Sequence, residues 1–134
     1  MTNEAAVRAP AVILIVEDDS LLRELAVEIV EEAGFITLEA GDAAEAVGLL
    51  ETRTDIAVVF TDINMPGRVD GTRLAYMVSE RWPSIKILVS SGQARLQQCN
   101  LPSNSAFLGK PYRGQAVIAQ LHSLVGAAEI SVQI

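Results

Sequence analysis

The chain has 134 residues, half of them hydrophobic, a formal charge of −7 and a single cysteine. That length holds one domain with a sizeable core, and the apolar content excludes an unfolded chain. The acidic balance excludes a nucleic-acid surface, which needs clustered Lys and Arg, and the lone Cys99 excludes an intrachain disulfide.

A reducing compartment, the cytoplasm, is therefore expected. No apolar run approaches the roughly 20 residues that cross a bilayer, so no membrane partner is expected. Residues 1–10 carry Glu4 and Arg8 without an apolar stretch and do not resemble a secretory signal. They read as a disordered arm before a domain over 11–126, with 127–134 as a C-terminal tail.

The first predicted strand is Val12-Ile13-Leu14-Ile15-Val16, an apolar run of the kind buried on both faces in a parallel sheet. Asp18, Asp19 and Ser20 then offer capping side chains, and Asp19 reads as a helix cap. Leu22, Leu25, Ala26, Ile29, Val30 and Ala33 follow at helical spacing, and Gly34 supplies a stop. A short strand over 35–39 precedes Asp42, which caps the next helix with Glu45 three residues on. Ala43, Ala46, Val47 and Leu50 form that helix's apolar stripe.

The third strand, Ile56-Ala57-Val58-Val59-Phe60-Thr61, ends at Asp62 and leads into the Pro- and Gly-rich loop Met65-Pro66-Gly67-Arg68-Val69-Asp70-Gly71. The third helix carries Leu74, Ala75, Val78 and Trp82 and stops before Pro83. A fourth strand from Ile85 to Val89 runs into Ser90-Ser91-Gly92. Residues 93–105 leave room only for a short or irregular helix, because Pro102 interrupts them. Ala106-Phe107-Leu108 is the fifth strand, Lys110-Pro111 follows, and Val117, Leu121, Leu124 and Val125 mark the last helix. The tail alternates Ile130, Val132 and Ile134, a pattern for a strand against a partner or a frayed end. Alternating strands and helices with short loops predict an α/β doubly wound parallel sheet of five strands, flavodoxin-like in its order 2-1-3-4-5.

In such a sheet, ligands bind beyond the carboxyl ends of the strands. Glu17, Asp18, Asp62, Ser91 and Lys110 all stand there. Three close carboxylates repel unless a cation intervenes, and an oxygen-only set suits Mg²⁺ or Mn²⁺. A hydroxyl and an ammonium beside that metal are what a transferred phosphoryl group needs for charge neutralisation. A carboxylate can itself be the nucleophile, and Asp62, on the central strand, is the best placed. Glu17 and Asp18 then serve as metal ligands, with the backbone carbonyl of Asn64 completing the set.

Val16-Glu17-Asp18-Asp19, Thr61-Asp62-Ile63-Asn64-Met65-Pro66, Asp70-Gly71, Ser91-Gly92 and Lys110-Pro111-Tyr112 together resemble the receiver domain of two-component response regulators, of the single-domain chemotaxis type. The resemblance covers residues 12–125. It implies a response regulator that takes a phosphoryl group on Asp62 from a histidine kinase or phosphotransfer protein, in a Mg²⁺-dependent reaction catalysed largely by the receiver itself. Such a protein is a phosphoacceptor with slow autodephosphorylation and not a conventional enzyme. The resemblance makes Asp18 a direct metal ligand and Glu17 one acting mostly through water. It gives Ser91 the switch hydroxyl and Phe107 the switch aromatic, although Phe107 also reads as an ordinary buried ring. Asn64 and Gln93 fall where the family tunes dephosphorylation. Phosphorylation is expected to bias a surface made of the fourth connection, the fifth strand and the last helix toward a downstream protein target. The chain is expected to be a monomer or weak dimer with no attached output domain.

Three departures stand out. The loop between Met65-Pro66 and Asp70-Gly71 is one residue longer than usual, Glu17 replaces a commoner Asp, and the fourth connection is short. Ser90 stands beside Ser91, and strand alignment selects Ser91. The competing function is a pseudo-receiver that binds proteins without taking phosphate. An aspartyl-phosphate phosphatase fits less well, because Asn64 stands where its second Asp would be. His122 reads as a solvent-facing residue of the last helix, and Cys99 has no activating neighbour.

Overall fold

The protein, in a computed structural model that describes residues 10–63, 70–92 and 101–133 (side chains to 126), is built on five parallel strands in the order β2-β1-β3-β4-β5. β1 is Val12–Val16, β2 Ile36–Ala40, β3 Ile56–Asp62, β4 Lys86–Ser91 and β5 Ser105–Gly109. Among the described residues four helices connect or follow them: α1 Ser20–Glu32, α2 Ala43–Thr52, α3 Gly71–Arg81 and α4 Gly114–Gln133. The predicted sheet and strand order are thus observed.

Every residue of β1 is buried, as expected for a strand covered on both faces. Alternation divides its side chains between two layers. Leu14 and Val16 join Val59, Ile87 and Val89 under α2 and α3, which contribute Leu50, Leu74 and Val78. Ile13 and Ile15 join Val58, Phe60 and Leu88 on the opposite face, under Ala26 and Val30 of α1 and Val117 and Leu121 of α4. The connections after β1 and β3 therefore leave for opposite faces, which opens a crevice above the ends of these two neighbouring strands.

The caps fix where the helices begin. Asp19 accepts hydrogen bonds from the amides of Leu21 and Leu22 at 2.9 and 3.1 Å. Asp42 accepts from the Glu45 amide at 2.8 Å, while Glu45 reaches back to the Gly41 amide at 2.5 Å, a reciprocal cap. Gly34 ends α1 with φ of 96°, a left-handed conformation that side chains resist.

Two expectations need correction. Leu22 and Leu25 lie on the predicted apolar stripe of α1, yet they are 42% and 48% exposed, because the smaller Ala26 and Val30 are what meet the sheet. The segment with alternating Ile130 and Val132 is neither extended nor frayed but helical, as α4 continues to Gln133. Residues 1–9 of the N-terminal arm, Asn64, the Met65-Pro66-Gly67 turn, Arg68, Gln93, Cys99 and positions 93–100 of the segment expected to hold a short or irregular helix lie outside the described residues. Among the described residues no helix is long and apolar enough to cross a membrane.

Candidate functional site

β1 delivers Glu17 and Asp18 to the crevice. The Glu17 amide extends the β1–β2 ladder by one bond, to the Ala40 carbonyl at 3.0 Å. Arg23, one turn into α1, donates from Nη1 to the Glu17 carbonyl at 2.8 Å and from Nε to Glu39 Oε1 at 3.1 Å. The backbone that carries the acidic pair is therefore held from both sides. The Glu17 carboxylate in turn accepts from the Asp19 amide at 3.1 Å.

β3 delivers Asp62. The next amide, Ile63, donates to the Ser90 carbonyl at 2.9 Å, and the Ile63 carbonyl accepts from the Gly71 amide at 2.9 Å. The start of α3, capped by Asp70, is thus docked onto the chain just after Asp62. A Cβ on residue 71 would stand 2.6 Å from the Ile63 Cα and closer still to the Asp62 carbonyl oxygen. Only glycine allows that approach.

β5 delivers Lys110, whose amide donates to the Ser91 carbonyl at 2.8 Å and whose peptide to Pro111 is cis. Its Nζ lies 3.1 Å from Asp62 Oδ2 and 3.9 Å from Glu17 Oε1. Glu17, Asp18 and Asp62 each offer a carboxylate oxygen, all within 4.8 Å of one another. Glu17 and Asp62 are buried and Asp18 is exposed. Burial first, and then the neighbouring Asp62 charge, push the Glu17 carboxyl above its ordinary pKa; the Asp19 amide and Lys110 oppose this without cancelling it.

One ammonium among three carboxylates leaves an excess of negative charge that a divalent cation would neutralise. Glu17, Asp18 and Asp62 bring their carboxylate oxygens close enough together that all three could hold such an ion, in the oxygen-only environment that Mg²⁺ prefers. The donor set therefore fits the ion.

Of the other expected site residues, Ser91 is fully buried at the end of β4 and pairs with Gly109. Phe107 pairs with Val89, is half-buried and lies on the opposite side of β5 from Ala106 and Leu108, which pack under α4. Asn64 and Gln93 cannot be placed among the described residues. His122 is exposed on α4 and its ring lies 5.2 Å from that of Phe35. Sequence reasoning overlooked a groove of about 480 Å³ that opens beside the acidic cluster. It is lined by Glu17 and Lys110 and by Leu22, Leu25, Ile29, Pro111 and Tyr112. The excess of leucines in α1 over what one buried stripe needs was the available signal.

The sequence matches the model of the response regulator receiver domain over residues 13–122. It is 29% identical over 119 residues to the response regulator receiver protein CpdR of Brucella abortus (strain 2308), covering 87% of this chain and 98% of CpdR. It is 31% identical over 133 residues to the transcriptional regulatory protein PdtaR of Mycobacterium tuberculosis (strain CDC 1551 / Oshkosh), covering 98% of this chain but 61% of PdtaR. The chain thus spans less than two thirds of that relative. The crystal structure of a response regulator receiver protein from Sinorhizobium medicae WSM419 is 28% identical and superposes with a TM-score of 0.83, covering 89% of this chain and 97% of that one.

Proposed function

Because this chain belongs to the response regulator receiver domain family, we propose that it accepts a phosphoryl group on Asp62 from a histidine kinase or phosphotransfer protein and so switches a protein-interaction surface. The observation that carries this reading is the Lys110 ammonium, 3.1 Å from Asp62 inside a cluster of three carboxylates. A structural metal site would gain nothing from a cation competing for its ligands. A phosphoryl site needs both charges.

Glu17, Asp18 and Asp62 would hold Mg²⁺, with the Asn64 carbonyl as a further ligand. When bound, the ion neutralises charge on the phosphoryl oxygens. A carboxylate oxygen of Asp62 forms the new O–P bond as the donor's N–P bond breaks, and the electron pair leaves with the donor's imidazole nitrogen. Lys110, released from its ion pair with Asp62, follows the negative charge onto the transferred group. Ser91 would donate its hydroxyl to a phosphoryl oxygen, and Phe107 would move with it. Asn64 and Gln93 would set the rate at which water removes the group.

The groove beside the site supports a protein as the donor. Leu22 and Leu25 expose apolar surface next to Glu17 and Lys110, where a partner presenting its phosphohistidine would have to rest. Such an exchange takes place in the cytoplasm.

Incubation with Mg²⁺ and a small acyl-phosphate donor, followed by intact-mass analysis, tests the reading. The parent gains the mass of one phosphoryl group and Asp62→Ala gains none. Failure of the parent to take phosphate, or to bind beryllium fluoride, would return the chain to the pseudo-receiver alternative.

A further inference from the structure

The chemistry above leaves Ser90 without a task, although the β3–β4 register sets Ser90 directly beside Asp62. Paired residues in a parallel ladder project to the same face. The same register pairs Phe60 with Leu88, both packed in the layer beneath α1 and α4, so Asp62 and Ser90 continue that face. Ser91 alternates to the other. Ser90 is only 2% exposed, a hydroxyl taken almost entirely out of bulk water.

A small pocket of about 10 Å³, partly open to solvent, lies at this point, lined by the polar residues Glu17, Asp62, Ser90 and Tyr112 and by Ile15 and Phe60 among its apolar ones. Roughly 10–15 Å³ holds one water molecule, provided two to four polar groups can bind it. The cavity meets both conditions. An apolar void of this size would stay dry, but carboxylates and a serine hydroxyl in its wall make a dry state costly.

We propose that this cavity holds one structural water that links the Ser90 hydroxyl to the carboxylates of Glu17 and Asp62, and that Ser90 is thereby a positioning residue for the phosphoacceptor. Lys110 reaches Asp62 at 3.1 Å from the end of β5, and the water reaches it from the side of Ser90 at the end of β4. Held from both directions, the carboxylate keeps the orientation that presents an oxygen to the incoming phosphorus. This inference rests on Asp62 being the phosphoacceptor.

The comparison of Ser90→Thr with Ser90→Val tests it, because the two differ only in hydroxyl against methyl at nearly equal volume. At saturating Mg²⁺ and acetyl phosphate, Ser90→Thr phosphorylates within about twofold of the parent, while Ser90→Val is about fivefold slower, the worth of one neutral hydrogen bond. The half-saturating donor concentration is the same in both. A high-resolution crystal structure of the parent shows one water in the cavity. Equal rates for the Thr and Val variants, or a dry cavity in the parent, overturn the proposal. Should Ser90→Val fail to fold, Ser90→Ala takes its place with the same expected loss and the same contradicting result. If the parent takes no phosphoryl group, the functional reading fails, and the crystal structure still decides the water.

Discussion

The Lys110 ammonium lies 3.1 Å from a carboxylate oxygen of Asp62 and 3.9 Å from one of Glu17, so one cation from the end of β5 ties together two acids from the ends of β3 and β1. Its removal should leave the fold intact and the chemistry impaired. Lys110→Ala is expected to slow phosphorylation from acetyl phosphate roughly 100- to 1000-fold, the loss typical of one preorganised charge donor. Lys110→Arg should not restore the rate, because a planar guanidinium does not replace a compact ammonium at this distance. Single-turnover phosphorylation at saturating Mg²⁺ measures both.

Gly71 makes the strictest packing demand near the site. A Cβ there would meet backbone, 2.6 Å from the Ile63 Cα, and backbone cannot rotate aside as a side chain does. Gly71→Ala is expected to cost about 3 kcal/mol or more, the upper range for overpacking. The same change should displace Asp62 and weaken beryllium fluoride binding. Urea denaturation gives the first quantity and fluorescence titration the second.

Glu17 ties stability to pH. Its carboxyl is raised from 4.5, first by burial and then by the Asp62 charge. A carboxyl whose pKa rises on folding holds its proton more tightly in the native state than in the unfolded one. Its contribution to stability is therefore complete below 4.5 and is lost as pH climbs through the raised native value. In chelator, Glu17→Gln should melt a few degrees higher than the parent at neutral pH and show no such gain below pH 4.5. Mg²⁺ should reverse the order, because the parent gains more from ligand binding than a variant lacking one carboxylate. Thermal melts across pH, with and without the ion, test each sign.

The exposed leucines of α1 should matter to a protein donor and not to a small one. Leu22→Ser with Leu25→Ser removes apolar surface from the groove without touching the buried layer of Ala26 and Val30. Transfer from a cognate kinase or phosphotransfer protein is expected to fall at least about tenfold, as two apolar anchors of an interface are lost. Acetyl phosphate labelling and the melting temperature should stay within error of the parent. Equal losses with both donors would place the effect in the site instead.

How far these features were legible in the sequence depends on what each one required. Glu17, Asp18, Asp62 and Lys110 could be read in advance because each closes or follows an apolar run, and a doubly wound sheet gathers such ends on one edge. The direction of Leu22 and Leu25 could not. Helical periodicity marks a stripe, but α1 has more apolar residues than its stripe holds, and the contact with the sheet falls to Ala26 and Val30. Ser90 needed the register between β3 and β4, which two separate strand sequences do not state. Gly71 was visible as part of an Asp-Gly pair, yet its reason, the approach of α3 to the Asp62 backbone, exists only in three dimensions. The alternation of Ile130 and Val132 suggested a strand or a frayed end, and the helix that carries Val117 and Leu121 continues through it instead.

The central claim is that Asp62, and no other acid of the cluster, carries the phosphoryl group. Borohydride reduction converts an aspartyl phosphate to homoserine, so treating the Mg²⁺- and acetyl phosphate-labelled protein and mapping its peptides by mass spectrometry locates the acceptor directly. Homoserine at position 62, absent without donor and absent in Asp62→Ala, is the expected result. Homoserine at position 18, or a phosphorylated His122 with position 62 unchanged, would contradict it.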